Sequence, residues 1–182
     1  MHVGVATDYY LGTVASYVKP LIGLDLGFDV DVRRFNFYLN MMMGRSTGRL
    51  LRDIPRDGYI WNTGEKMTGG NMDLSLGYAI IDSHWWKVAP FAGIGVGFLD
   101  YPYNPVDPDK DHDEISGFRY LAGVCTDFKF IRNVDFYYPS VSELTVRTRL
   151  FMAHTAYATL GPSWSINLGV SINYLGWLTM PR

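Results

Sequence analysis

Residues 21–32, LIGLDLGFDVDV, alternate without a break. Ile22, Leu24, Leu26, Phe28, Val30 and Val32 take the even positions, and Gly23, Asp25, Gly27, Asp29 and Asp31 the odd ones. Successive side chains of a strand point to opposite faces, so a strand here has one wholly apolar face and one acidic or bare face. A helix would scatter the three aspartates around its circumference. The segment predicts a long β-strand.

The pattern recurs along the chain. Residues 35–43 set Phe35, Phe37, Leu39, Met41 and Met43 against Asn36, Tyr38 and Asn40. Residues 71–81 set Met72, Leu74, Leu76, Tyr78 and Ile80 against Asn71, Asp73, Ser75, Gly77 and Ala79. In 86–98, Trp86, Ile94 and Val96 oppose Lys87, Gly93, Gly95 and Gly97, and Pro90 costs one ladder hydrogen bond or marks a bulge. Residues 118–130, 144–156 and 164–175 alternate in the same way, and the opening residues, about 2–10, supply a first, short strand around Val3 and Val5. These strands match the about 9–11 residues of a tilted membrane-spanning strand better than the about 5–6 of an ordinary one. Arg33-Arg34 and Asp82-Ser83-His84 read as tight turns, whereas 44–69 and 100–116 read as long polar loops. Short turns at one end and long loops at the other suit an outer-membrane barrel. The connection 131–142 is longer than that scheme asks.

Composition bounds the rest. The 182 residues form a single domain, 1–182, with 48% hydrophobic and 15% aromatic residues and 19 glycines. The charged fraction, 19%, is below the roughly 25% of soluble domains. A net charge of −2 gives no electrostatic case for nucleic acid. A lone cysteine, Cys125, excludes an intrachain disulfide and a cysteine-based metal site, and is expected to be a buried, inert lumen residue. No apolar run reaches the about 18 residues of a transmembrane helix. The opening MHVGVATDYY lacks the pattern of a signal peptide, which an exported barrel needs. The expectation is that a signal was removed ahead of residue 1 or that the start is incomplete.

Alternation alone does not say which face points in. The polar faces pool Asp25, Asp29, Asp31, Asp73 and Asp127 with Lys87, Arg119, Lys129, Arg147 and Arg149. Near-equal numbers suit a closed interior, where unpaired charge is expensive. Their glycines let a small barrel close around long arginines. The expectation is therefore apolar faces outward to lipid and a lumen plugged by paired charges. Trp85, Trp86, Tyr101, Tyr103, Tyr137, Tyr138, Trp164 and Trp177 fall near strand ends, as interfacial girdles do.

The segment NMDLSLGYAIIDSHWWKVAPFAGIGVGF (71–98) resembles hairpins of the small bacterial outer-membrane β-barrel domain family. The likeness is one of pattern over nearly the whole chain and carries no diagnostic motif. It implies an all-β, eight-stranded antiparallel up-and-down transmembrane β-barrel with two long loops at one end, an outer-membrane location, and often no assigned activity. It also implies assembly by machinery that reads a terminal aromatic; Trp177 stands in for it, although the tail after it departs from the pattern.

Three motifs bear on chemistry. Asp107, Asp109, Asp111 and Asp113 make an oxygen-rich loop of the kind that holds Ca²⁺, but His112 and Phe118 stand where an EF-hand needs glycine and glutamate. It reads as a solvated acidic loop, and no metal or cofactor is expected. Arg45, Arg49, Arg52 and Arg56, spaced four, three and four apart, would share one face of a short helix and could grip lipopolysaccharide phosphates. His2, His84, His112 and His154 are scattered, and Ser140 and Ser142 stand apart from them, so no catalytic set is expected. The first reading is a non-enzymatic, monomeric barrel with a structural or surface-binding role through loops 44–69 and 100–116, its partners outer-membrane lipid and the assembly machinery. The second is a soluble or periplasmic barrel with an apolar ligand inside. The third is a lipid-modifying enzyme.

Overall fold

A computed structural model describes residues 1–56, 59–100, 114–135 and 140–178. The strands, in chain order, are β1 (His2–Gly12), β2 (Leu21–Val32), β3 (Phe35–Arg49), β4 (Ile54–Arg56), β5 (Tyr59–Trp61), β6 (Lys66–Tyr78), β7 (Ile81–Asp82), β8 (Trp86–Asp100), β9 (Ile115–Asp135), β10 (Ser140–Tyr157) and β11 (Gly161–Leu178). β1, β2, β3, β6, β8, β9, β10 and β11 form an antiparallel meander that closes on itself, because β1 pairs with both β2 and β11. Val3, for example, lies opposite Leu26 on one side and Ile172 on the other. Closure removes the sheet edges that would otherwise present unpaired backbone groups.

The closed barrel has a turn end, with the connections at 33–34 and 79–85, and a loop end, with the segments 13–20, 50–65 and 158–160. The two expected long loops both rise from the loop end, but the strands run further into them than alternation indicated. β3 continues to Arg49 and β6 begins at Lys66, so 44–69 shrinks to 50–65 and carries the small β4–β5 hairpin. Residues 101–113, with most of the second loop, lie outside the described residues. The overlong connection 131–142 is corrected in the same way: β9 reaches Asp135 and β10 starts at Ser140. A register shift explains why the pattern faded there. Leu144 faces Ile131 and Thr145 faces Lys129, which leaves Phe130 as the extra residue of a bulge, and Phe130 and Ile131 are both exposed. The thin first strand is in fact complete from His2 to Gly12.

Pro90 sits where the expectation placed a broken ladder. β6 pairs with β8 as far as Phe91, and pairing resumes as β7 opposite Val88. The Arg33–Arg34 turn is as tight as expected, with Val32 facing Phe35, and it holds Arg33 at φ 58°. A left-handed backbone costs a non-glycine residue about 1–2 kcal/mol. Arg33→Gly should therefore raise stability by about 1 kcal/mol in denaturant unfolding, partly offset by glycine's larger unfolded-state entropy.

The apolar faces of the strands point outward. Ile22, Leu24, Phe37, Leu39, Ile94, Leu150, Leu168 and Ile172 all point outward and are exposed, while the opposite face of every barrel strand lines the interior. Apolar burial concentrates at the loop end. There Val14 and Val18, from the segment around a 3₁₀ turn at Val14–Ser16, meet Ile54 and Trp61 of the hairpin and Leu99 and Ile115 of the barrel wall.

Candidate functional site

Period-two geometry carries the polar faces inward, and the barrel brings together charges far apart in sequence. Asp25, Asp29, Asp73, Asp127, Lys87, Arg119, Arg147 and Arg149 are buried; Asp31 and Lys129 sit nearer the turn end and keep some exposure. Arg147 is the centre of the turn-end half. Its Nε donates to Asp127 Oδ1 at 2.7 Å, its Nη2 to Asp127 Oδ2 at 2.9 Å and its Nη1 to Asp29 Oδ2 at 2.6 Å. Its guanidinium also lies over the Tyr38 ring, 5.2 Å from the centroid. Around it, Lys87 Nζ reaches Asp31 at 2.6 Å, and Lys129 Nζ reaches Asp82 at 2.6 Å and Glu143 at 3.8 Å.

The loop-end half is organised by Arg119. It donates to Asp8 at 3.1 Å and to Asn167 at 3.0 Å, with its Nε 3.3 Å from Asp73 Oδ1. Between the two halves lies Arg149, which departs from the expected pairing. Among the described residues no carboxylate lies in ion-pair range of it. Instead its guanidinium packs on Phe91, Phe151 and Tyr38 at 4.8, 5.2 and 5.7 Å. Three ring faces supply the negative potential that a carboxylate would otherwise provide. Arg149 also lines a small cavity with Asp25, Asn40, Asp73 and Asn167 and with Met42 and Phe151.

Three inward groups stand outside the expected charge set: His2, Asp8 and Glu143. The His2 imidazole stands between Asp25, at 3.5 Å, and Asp29, at 3.4 Å. Gly27 makes room for it, since a Cβ there would collide with the ring. The signal was present at even positions His2, Gly4, Ala6, Asp8 and Tyr10, but outward Thr7 interrupts the apolar face that would have exposed it.

The arginine set of the first long loop does not form a helical face. Arg45 and Arg49 lie on β3 and Arg52 in a bend; Arg56 is in β4, its side chain outside the described ones. Strand geometry wins there because β3 pairs with β2 as far as Ser46 and meets β6 again at Arg49. Arg45 and Arg49 do share the outward face of that strand, with Thr47 between them, and both are exposed. Asp107, Asp109, Asp111 and Asp113 lie outside the described residues; among those described, no group of three His, Cys, Asp or Glu side chains is placed to hold a metal. Cys125 is buried in the interior, its Sγ 3.8 Å from Asp127. His84 is exposed in a turn against Trp85, and His154 is on the outer face between Tyr120 and Trp164.

Two outer aromatic groups bracket the apolar face. At the turn end, Trp85 and Trp86 pack on Phe128 at 6.4 and 4.9 Å, and Phe35 on Tyr78 at 5.4 Å. Toward the loop end, Tyr120, His154 and Trp164 form a second group at 4.7 and 4.9 Å. Tyr101, Tyr103, Tyr137 and Tyr138 lie outside the described residues, as does the side chain of Trp177. The sequence matches no protein-family model and no curated protein.

Proposed function

We propose that this chain is a non-enzymatic outer-membrane β-barrel, with its apolar belt against lipid, its lumen closed, and its role carried by the loop-end surface. The supporting observation is the belt with its two aromatic rims. Trp164 and Tyr174 stand ten positions apart on β11. At about 3.3 Å per residue and a tilt of about 40°, that is about 25 Å, the height of a lipid-facing band. Most large apolar side chains of the barrel wall face out, an arrangement that in water is an aggregation liability and in a bilayer is the stable one. Two plugs in series favour a closed lumen: the arginine–aspartate network and the apolar cap around Trp61. A barrel carrying an apolar ligand inside fits less well, because the lumen is already filled by the charge network and by the packed side chains of Tyr38, Phe91, Leu121 and Phe151.

The test is refolding from urea into phosphatidylcholine vesicles. Insertion is expected to give an unboiled gel band of altered mobility, blue-shifted tryptophan emission, and protease resistance of the barrel. A chain that stays monomeric in detergent-free buffer, without vesicles, overturns the proposal.

A further inference from the structure

The interior cations are paired with carboxylates or, for Arg149, packed on aromatic rings; a group on the outer rim has neither. On β3 the outward face changes from apolar to basic in one step: Met43 is followed at the next outward positions by Arg45, Thr47 and Arg49. The ladder places Ile22 of β2 and Thr68 of β6 beside Arg45, and Lys66 directly opposite Arg49. Lys19 joins them from the segment before β2. Thr47 N donates to Pro20 O at 2.8 Å, and the Lys19 side chain runs across Gly48, where an added Cβ would come 2.7 Å from its Cγ. Arg52 follows in the adjoining bend.

Lys19, Arg45, Arg49, Arg52 and Lys66 are all exposed, and among the described residues none forms an ion pair. Arg49 spends one N–H on the Gly64 carbonyl, at 3.0 Å, which holds the side chain in place without neutralising it. The nearest acids in sequence are Asp53 and Glu65. Asp53 is turned to the hairpin, where the Thr63 hydroxyl and backbone N–H donate to it at 2.6 and 2.7 Å and hold its carboxyl below its ordinary pKa. Five like charges on one rim repel one another unless an external anion sits among them. Their height selects that anion: they begin one outward step beyond the belt residue Met43, where headgroup phosphates lie if the belt is in a bilayer. Guanidinium binds phosphate in two-point fashion and lysine adds point charge.

We infer that Lys19, Arg45, Arg49 and Lys66, with Arg52 at the margin, form a binding site for the phosphate groups of an anionic lipid headgroup, on the β2–β3–β6 side of the loop end. The inference rests on the membrane reading above and adds to it a partner class and an orientation, the loop end facing the leaflet that carries phosphate-rich lipid.

The experiment uses the full chain in phosphatidylcholine vesicles doped with spin-labelled phosphatidic acid or spin-labelled phosphatidylcholine. The motionally restricted fraction is read by electron paramagnetic resonance. The native protein should restrict the phosphatidic acid label several-fold more than the neutral one, and K19Q/R45Q/R49Q/K66Q should bring the ratio to about one. R33Q/R34Q, which removes two arginines at the turn end, should leave the preference intact. Gel mobility of each variant in pure phosphatidylcholine reports insertion separately. No insertion by the native chain sinks the membrane reading itself. Insertion with no lipid preference, or with a preference that survives the quadruple substitution, overturns the headgroup site alone. Displacement of the label by millimolar inorganic phosphate would make it a site for the free ion and overturn the lipid assignment.

Discussion

Arg147→Met is expected to destabilise the barrel by about 3–5 kcal/mol, the cost of breaking a buried ion pair by removing one partner. The native guanidinium is inaccessible to solvent and makes three short hydrogen bonds to two carboxylates that are themselves buried. Methionine fills much of the volume but leaves Asp127 with no cation in ion-pair range among the described residues, and Asp29 with only the His2 side and the chain's amino group, at 3.9 Å. The loss is thus mainly that of two stranded charges rather than of packing. Two companion variants separate these causes. In an Asp127→Asn background the same Arg147→Met change should cost markedly less, because one of the stranded charges is gone. Arg149→Met should cost about 1–2 kcal/mol, since it removes ring contacts and strands no partnered carboxylate. Urea unfolding from lipid vesicles, with Asp127→Asn alone as the reference for the double variant, gives all three values. Equal costs for Arg147→Met and Arg149→Met would show that ion pairing is not what the interior network contributes.

The contrast between those two arginines marks the limit of what sequence could say. Both fall on the polar face of one alternating strand, two residues apart, and both are buried in the interior. Their partners come from across the barrel: Asp29 is 118 residues from Arg147, and no local spacing encodes that meeting. Alternation was most legible where one face is wholly apolar, as in β2, and failed where the outward face turns polar beyond the belt. The four-residue spacing of Arg45 and Arg49 therefore reads as a helical face, whereas the two continue the outward row of β3. The bulge at Phe130 hid the end of β9 by putting two successive apolar residues on one face. Trp61 and Ile54 were hidden differently: isolated apolar residues in a polar loop have no period, and only the folded hairpin shows that they cap the barrel. Aromatic partners of a cation are equally silent in a charge inventory, which assigns Arg149 an acid where the structure gives it rings.

The second large effect concerns the outer face. Leu168 lies near the middle of the stretch between Trp164 and Tyr174 on β11, is 44% exposed, and faces Leu150 of β10 and Thr7 of β1. Leu168→Arg is expected to cost about 2–4 kcal/mol for the vesicle-inserted protein, the penalty of a cation near the bilayer midplane. The same substitution at an exposed site in water would be worth about 0.5 kcal/mol or less in either direction. Depth makes the result specific. Ser116 of β9 also points outward and is exposed, but it lies one outward step beyond Phe118 toward the loop end. Ser116→Arg should cost about 0–1 kcal/mol, as near a bilayer interface. Neither position contacts the interior network, so lost ion pairing does not enter the comparison. Urea unfolding of both variants in phosphatidylcholine vesicles gives the difference directly. Equal costs at the two depths would mean that the apolar belt is not immersed in lipid, and the inverted barrel would then need a different surrounding, such as a protein sheath, to cover the same face.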